Sequence, residues 1–180
     1  NMQTIVSLIR LQIDEIDDVE IKNILSTTYN RVNAMSHLYE MLFVQKKISN
    51  VDAIDYFTML ISEIQESYNQ DIHIHLDITS ELKLDQAVYC GLILNELITN
   101  SFKHAFTSSH GNIYVKLAKD KIKYILSVSD DGVGYNKNVS SNSLGLVLIN
   151  SLVKSKLYGT VDICSNNGVT TTIIWEDKNA

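Results

Sequence analysis

The chain has 180 residues, 45% hydrophobic and 20% charged, and its 15 basic and 21 acidic side chains leave a net charge of −6. This composition excludes an intrinsically disordered chain, and an acidic balance without a Lys/Arg run argues against a general nucleic-acid binder. No window approaches the ~18 consecutive apolar residues of a membrane span. The 2 cysteines, Cys90 and Cys164, build neither a disulfide framework nor a four-cysteine zinc site.

Both cysteines sit among apolar residues, which predicts buried, reduced thiols. There is no proline, and all 7 glycines lie at or after Gly91; average usage would give about 9 and about 13. A glycine-free first half favours long uninterrupted helices. The second half reads as strands and loops punctuated by glycine. The chain opens inside a helical pattern without a signal peptide, which is expected of a piece cut from a longer protein.

Apolar residues at Ile5, Leu8, Ile9, Ile13 and Ile16 predict a helix from Gln3 to about Ile16, and the acidic run Asp14 to Asp18 a connection. Ile21, Leu25, Thr28, Val32, Met35, Tyr39 and Leu42 follow with alternating spacings of 4 and 3. That is a heptad seam, expected in a dimeric bundle. Residues Ile48 to Val51 read as a linker. Asp52 caps a helix with apolar Ile54, Phe57, Leu60, Ile61 and Ile64. Strict alternation from Asp71 to Thr79 predicts a half-buried strand, with His73 and His75 on its exposed polar face. Asp85 is the expected cap of a long helix reaching about Phe106. Strands are predicted at Asn112 to Lys119 and Lys121 to Asp130, with a Gly- and Ser-containing loop from Gly132 to Ser143. A helix over about Leu144 to Leu157 precedes a hairpin of Thr160–Ser165 and Val169–Trp175 turning at Asn166-Asn167-Gly168. The order implies an α+β fold, a two-layer sandwich with helices on one face of a mixed sheet. Domain bounds of 1–47 for the leading helices and 52–178 for the sandwich follow.

Three features carry chemistry. Glu96, Asn100 and Lys103 share one face of the long helix, beside apolar Leu94, Ile98 and Phe102. A magnesium-bound polyphosphate suits that set: the amide oxygen ligates the metal, the ammonium meets phosphate, and the carboxylate orients or deprotonates an attacking group. On this helix alone, a solvated face with an i,i+4 pair accounts for the spacing equally well. Asp130 has the parity of Leu126 and Val128, so it points to the buried side and needs donors. Gly132 and Gly134 follow it, and glycine lets backbone approach a ligand; an adenine amino group is a natural donor to Asp130. Ser143-Leu144-Gly145-Leu146 opens a helix whose free amides suit an anion.

In this order, Asn95-Glu96-Leu97-Ile98-Thr99-Asn100 with Lys103-His104-Ala105, then Asp130-Asp131-Gly132-Val133-Gly134, then Ser143-Leu144-Gly145-Leu146 resemble the N box and two glycine boxes of the GHKL ATP-binding fold, shared by gyrase, Hsp90 and histidine kinases. Essentially residues 1–176 resemble a bacterial sensor histidine kinase, of the subgroup with Glu in the N box. Arg31-Val32-Asn33-Ala34-Met35 is similar to that subgroup too, and residues Asn1 to Leu8 are similar to its stretch just after the phospho-acceptor histidine.

The resemblance implies ATP and Mg2+ as cofactors. Asp130 would bind the adenine amino group, Asn100 the magnesium, Glu96 the attacking imidazole and Lys103 a phosphate. Gly132, Gly134, Leu144, Gly145 and Leu146 would shape the pocket and its lid. Two departures stand out: Asn142 or Ser143 replaces a lid glycine, and Val169 replaces a threonine that approaches adenine, a place Thr171 would take. His104 lines the pocket or lies on the helix surface. His37 lies outside the acceptor motif, so this piece is expected to bind Mg-ATP without phosphorylating itself. A response-regulator receiver domain and a homodimer through the leading helices are the implied partners, with no nucleic acid and no membrane in this piece. The setting implied is cytoplasmic, with an anchor conceivable elsewhere in the whole protein. A serine kinase of the same fold and a scaffold without transfer activity are the rivals. The heptad helix argues against the first, and the set Glu96, Asn100 and Asp130 against the second.

Overall fold

The computed structural model describes residues 2–19, 21–22, 24–26, 28–30, 32–33, 36, 50–68, 70–108, 110–134 and 144–177. The chain divides into two compact units, Asn1–Ser49 and Asn50–Ala180.

In the first unit, helix α1 spans Met2–Asp14. The described residues between 19 and 36 are helical, apart from those bounding the acidic connection. Asp18 accepts the Ile21 N–H at 3.1 Å, which satisfies one free donor of that second helical stretch. Ile5, Leu8 and Leu11 of α1 are 48%, 57% and 62% exposed, a stripe at helical spacing. Of the heptad positions, Ile21, Leu25, Thr28 and Val32 are helical and at least partly exposed. The remaining heptad positions Met35, Tyr39 and Leu42, and His37, lie outside the described residues.

The second unit begins with a departure from expectation. Asn50–Val51 forms a short strand, β1, rather than a linker, and pairs antiparallel with β3, Leu82–Lys83. No hydrophobic alternation announces a two-residue strand, because its partner is more than thirty residues away. Asp52 caps α2, Ala53–Glu66, its carboxylate accepting the Ile54 N–H at 3.0 Å. Tyr56, Phe57, Leu60, Ile61 and Ile64 are buried along α2, whereas Ile54 is 38% exposed because it falls on the outer face.

The main sheet has the order β2-β4-β5-β7-β6, from Asp71–Ile78, His110–Asp120, Lys123–Asp130, Val169–Glu176 and Thr160–Ser165 respectively. β2 and β4 are parallel and the other neighbours antiparallel, so the sheet is mixed. The parallel pair demands a crossover, supplied by β3 and the 21-residue helix α3, Leu84–His104. The cap of α3 is Lys83, not Asp85. Pairing with β1 keeps Lys83 extended, and Gln86 reaches back to its N–H at 3.3 Å. Asp85 instead lies in the first turn, where its charge complements the helix dipole.

Ile113, Val115, Leu117, Leu126, Ile173 and Trp175 face the helices and are at most 2% exposed, and Ile93, Leu94 and Ile98 of α3 are equally dry. The second unit is thus an α+β two-layer sandwich. Gly91 brings α3 and α2 together, since a Cβ there would overlap the Tyr56 hydroxyl. Burial raises the Tyr56 hydroxyl and the Cys90 thiol well above their ordinary ranges, so both remain neutral packing groups.

Helix α4, Leu144–Leu152, passes into a π-helical turn, Val153–Leu157, rather than continuing regularly. Gly159 donates to the Val153 carbonyl at 2.9 Å and closes this wider turn toward β6. The hairpin β6–β7 has the expected register, with Asn167 and Gly168 at φ +51° and +110°. Cys90 is buried, but Cys164 is exposed, contrary to expectation. It sits on the edge strand and alternates with Ile163, so its side chain projects from the face no helix covers.

Candidate functional site

α3 is apolar on nearly all sides, yet Asn95, Glu96, Thr99 and Ser101 are buried along it. A helix between a sheet and another helix spends a polar side chain there only where partners exist. The end of β5 supplies one. Asp130 is 9% exposed, as its parity predicts. Its Oδ1 accepts the Gly132 N–H at 3.1 Å and the Val169 N–H at 3.2 Å, and its Oδ2 accepts the Ser101 hydroxyl at 3.0 Å.

The turn after Asp130 is held from several sides. Gly132 packs on the Ala105 carbonyl, where a Cβ would collide, and Val133 donates to that same carbonyl at 2.8 Å. Gly168 packs on the Asp130 carbonyl in the same manner. Gly134 adopts φ +74°, the left-handed region that favours glycine. Asp131 is anchored to β4, accepting the Asn112 N–H at 2.7 Å and its side-chain amide at 2.8 Å. These Asn112 donors, the backbone one foremost, hold the Asp131 carboxyl below its usual range. Asn112 Oδ1 in turn lies 3.0 Å from His75 Nε2, and the His75 ring stacks on Tyr114 at 4.8 Å.

A cavity opens beside Asp130. Leu97, Val128 and Val169 form apolar walls, and Asn100, Ser101, His104, Ala105, Gly134 and Thr171 complete it. Of the residues singled out from sequence, the cavity thus brings together Asn100, His104, Asp130, Gly134 and Thr171. Val169 and Thr171 both line it. Gly132 is not part of the cavity lining but donates to Asp130, which is. A second cluster forms where α4 begins. A Cβ on Gly145 would lie 2.7 Å from Glu96 Oε2 and 3.7 Å from Asn100 Nδ2, so the α4 backbone comes close to that pair, and a side chain here would push the Glu96 carboxylate aside. Glu96 is 5% exposed, and Asn100, intermediate in burial, links the two clusters. Leu144 is 67% exposed and Leu146 half-buried; neither lines the cavity. Lys103 is exposed at the C-terminal end of α3 and lies outside the cavity wall. Asn142 and Ser143 lie outside the described residues.

Sequence reasoning missed Ser101, Leu97, Val128 and Ala105. Ser101 had a legible signal, being a hydroxyl one turn after Leu97 and one turn before Ala105, on the helix that carries Glu96 and Asn100. The walls had none, because Leu and Val at such positions read simply as core. His73 and His75 share a strand face as expected, and no group of three or more His, Cys, Asp or Glu among the described residues is arranged to hold a metal.

The fold and site define a class: a two-layer α+β sandwich whose buried acid and glycine turns meet on one long helix. Residues 86–178 match the family model described as histidine kinase-, DNA gyrase B-, and HSP90-like ATPase, and residues 1–68 match one described as histidine kinase. The chain belongs to the histidine kinase-, DNA gyrase B- and HSP90-like ATPase family, with a histidine kinase module ahead of the ATPase module. It is 25% identical over 169 residues to the sensor histidine kinase PdtaS of Mycobacterium tuberculosis, covering 89% of this chain and 34% of the relative. The PdtaS of Mycolicibacterium smegmatis matches over the same span with 25% identity. The chain therefore spans about one third of the length of these curated relatives. Among solved structures, the histidine kinase domain of the Erythrobacter litoralis EL346 blue-light activated histidine kinase shares the fold, with a TM-score of 0.75 at 20% identity, over 98% of this chain and 85% of that one. The Acinetobacter baumannii histidine kinase AdeS gives 0.59 at 16% identity over 99% and 96%. No helix among the described residues is long and apolar enough to cross a membrane.

Proposed function

We propose that this chain is the ATP-binding and helical dimerisation part of a sensor histidine kinase, which transfers the ATP γ-phosphoryl group to a histidine and thence to an aspartate of a response regulator. The observation that carries the reading is Asp130. Among the described residues three donors occupy its carboxylate and one acceptor position remains on Oδ2, and the adjoining cavity has apolar walls. A flat base with an exocyclic amino group fits that chemistry, and the family match to an ATPase agrees with it.

The residues fit a magnesium nucleotide. Asn100 stands between the base cavity and the Glu96–Gly145 cluster, where its amide oxygen would ligate Mg2+. The ion, when bound, supplies charge neutralisation on the phosphates. Glu96, held dry against Gly145, would orient the acceptor imidazole and take its proton. Lys103, exposed on the last turn of α3, would meet phosphate oxygens from solvent. His104 and Thr171 would border the base, and Gly132 and Gly134 would carry the turn beneath it. Leu144, Gly145 and Leu146 would form the lid edge, with the N-terminal turn of α4 turned toward phosphate. Most of the rate enhancement would come from positioning and charge stabilisation.

The test is calorimetric titration with the magnesium salt of β,γ-imido ATP. Wild type is expected to bind, and Asp130→Asn, which presents a donor to an amino donor, to lose about 2–3 kcal/mol, roughly 30- to 150-fold. Unchanged affinity in a folded variant refutes the base assignment.

A further inference from the structure

Asp130 does not face the cavity alone. Ser101, one turn beyond Leu97 on α3, is 7% exposed and lines the same cavity. Its hydroxyl has one proton and two acceptors in reach: Asp130 Oδ2 at 3.0 Å and the Leu97 carbonyl at 3.3 Å. The shorter contact is to a carboxylate, and such bonds are roughly twice as strong as neutral ones. The hydroxyl therefore donates to Oδ2.

A carboxylate offers about four acceptor positions. Oδ1 uses its two on the backbone N–H groups of Gly132 and Val169. Both come from main chain that packing already fixes: Gly132 against Ala105, and Val169 next to Gly168 against Asp130 itself. Among the described residues Oδ2 has no backbone donor, and its single donor is Ser101. The rotation of the carboxylate, and so the direction of its last free acceptor position, is thus settled on the cavity side by one side-chain hydroxyl. With its proton committed, Ser101 shows the cavity lone pairs only. The polar edge made by Asp130 Oδ2 and Ser101 Oγ then accepts and does not donate.

Resting on the function proposed above, we infer that Ser101 is a positioning residue that aims Asp130 Oδ2 and sets selectivity for a purine bearing a 6-amino group. An amino group meets an aimed acceptor there. A 6-oxo group meets two acceptors and no donor, and a purine without a 6-substituent makes no bond at this place. The contribution of Ser101 therefore appears only with ligands that carry the amino group.

The experiment titrates wild type and Ser101→Ala with three magnesium nucleotides: β,γ-imido ATP, purine riboside triphosphate and inosine triphosphate. Melting temperature serves as the folding control. Wild type is expected to prefer the ATP analogue over both others. Ser101→Ala is expected to weaken the ATP analogue about three- to ten-fold, the worth of one well-aimed hydrogen bond, and to change the purine riboside affinity less than about two-fold. A purely structural loss would weaken both nucleotides alike, and that result overturns the inference while leaving the base assignment to Asp130 standing. Unchanged ATP affinity in Ser101→Ala overturns it as well. A wild-type protein that binds none of the three, or shows no preference for the amino purine, overturns the proposed function and this inference with it.

Discussion

Glu96 and Asp131 show how differently two carboxylates are employed near one site. Glu96 is dry, under the first turn of α4, and in the proposed function acts on the attacking group rather than holding the base. In the full-length protein, Glu96→Gln is expected to keep nucleotide affinity within a few-fold and to slow transfer to histidine by roughly 10²-fold. Transfer at the wild-type rate would refute the assignment as base. Asp131 is exposed, and Asn112 depresses its titration. A depressed folded value means stability that is complete above the unfolded value, ~4, and is lost as pH falls through the lower folded value. Melting temperatures of wild type and Asp131→Asn are therefore expected to differ by a constant amount from pH 7 to about pH 5. The difference should narrow only below about pH 4; narrowing near pH 6 would show that another group is responsible.

At the scale of elements, the sheet's far end is closed by Asp177, which follows β7 and is buried. Its carboxylate is 2.5 Å from Lys83 at the start of α3 and 3.5 Å from Lys119 on β4, and its N–H donates to the Ile122 carbonyl at 2.7 Å. Three elements distant in sequence are joined by one side chain. The two lysines are 33% and 30% exposed, so solvent screens part of the attraction, while the acid at 5% would be left nearly dry without them. Asp177→Ala is expected to cost about 1–3 kcal/mol, seen as a lower urea midpoint at unchanged slope. A changed slope would mean that the variant altered an end state instead. Elements of this kind were unevenly legible. β5 and the β6–β7 hairpin were plain because alternation and Asn-Asn-Gly are local signals. β1 and the true start of α3 were not, because each depends on the other: Lys83 stays extended only when Asn50 lies beside it.

For the whole molecule, the leading unit exposes Ile5, Leu8 and Leu11 along α1, more apolar helix surface than a lone chain shields. This supports the proposed homodimer through the leading helices. Sedimentation equilibrium is expected to show a dimer for wild type, and the double substitution Leu8→Lys, Leu11→Lys to shift it toward monomer while β,γ-imido ATP still binds. A monomeric wild type at tens of micromolar would refute the dimer reading.

Periodicity and parity by themselves settled that α3 is one long helix with Glu96 and Asn100 on a shared face. They also settled that Asp130 ends its strand pointing inward. Both follow from fixed geometry, 3.6 residues per turn and alternation by 2. The motifs added the nucleotide. Only the tertiary structure decided that Ser101 donates to Asp130, that Gly145 covers Glu96, that Val169 walls the cavity beside Thr171, and that Cys164 is exposed. Those facts arise between segments tens of residues apart, and no local pattern encodes which side chain a distant strand will set opposite another.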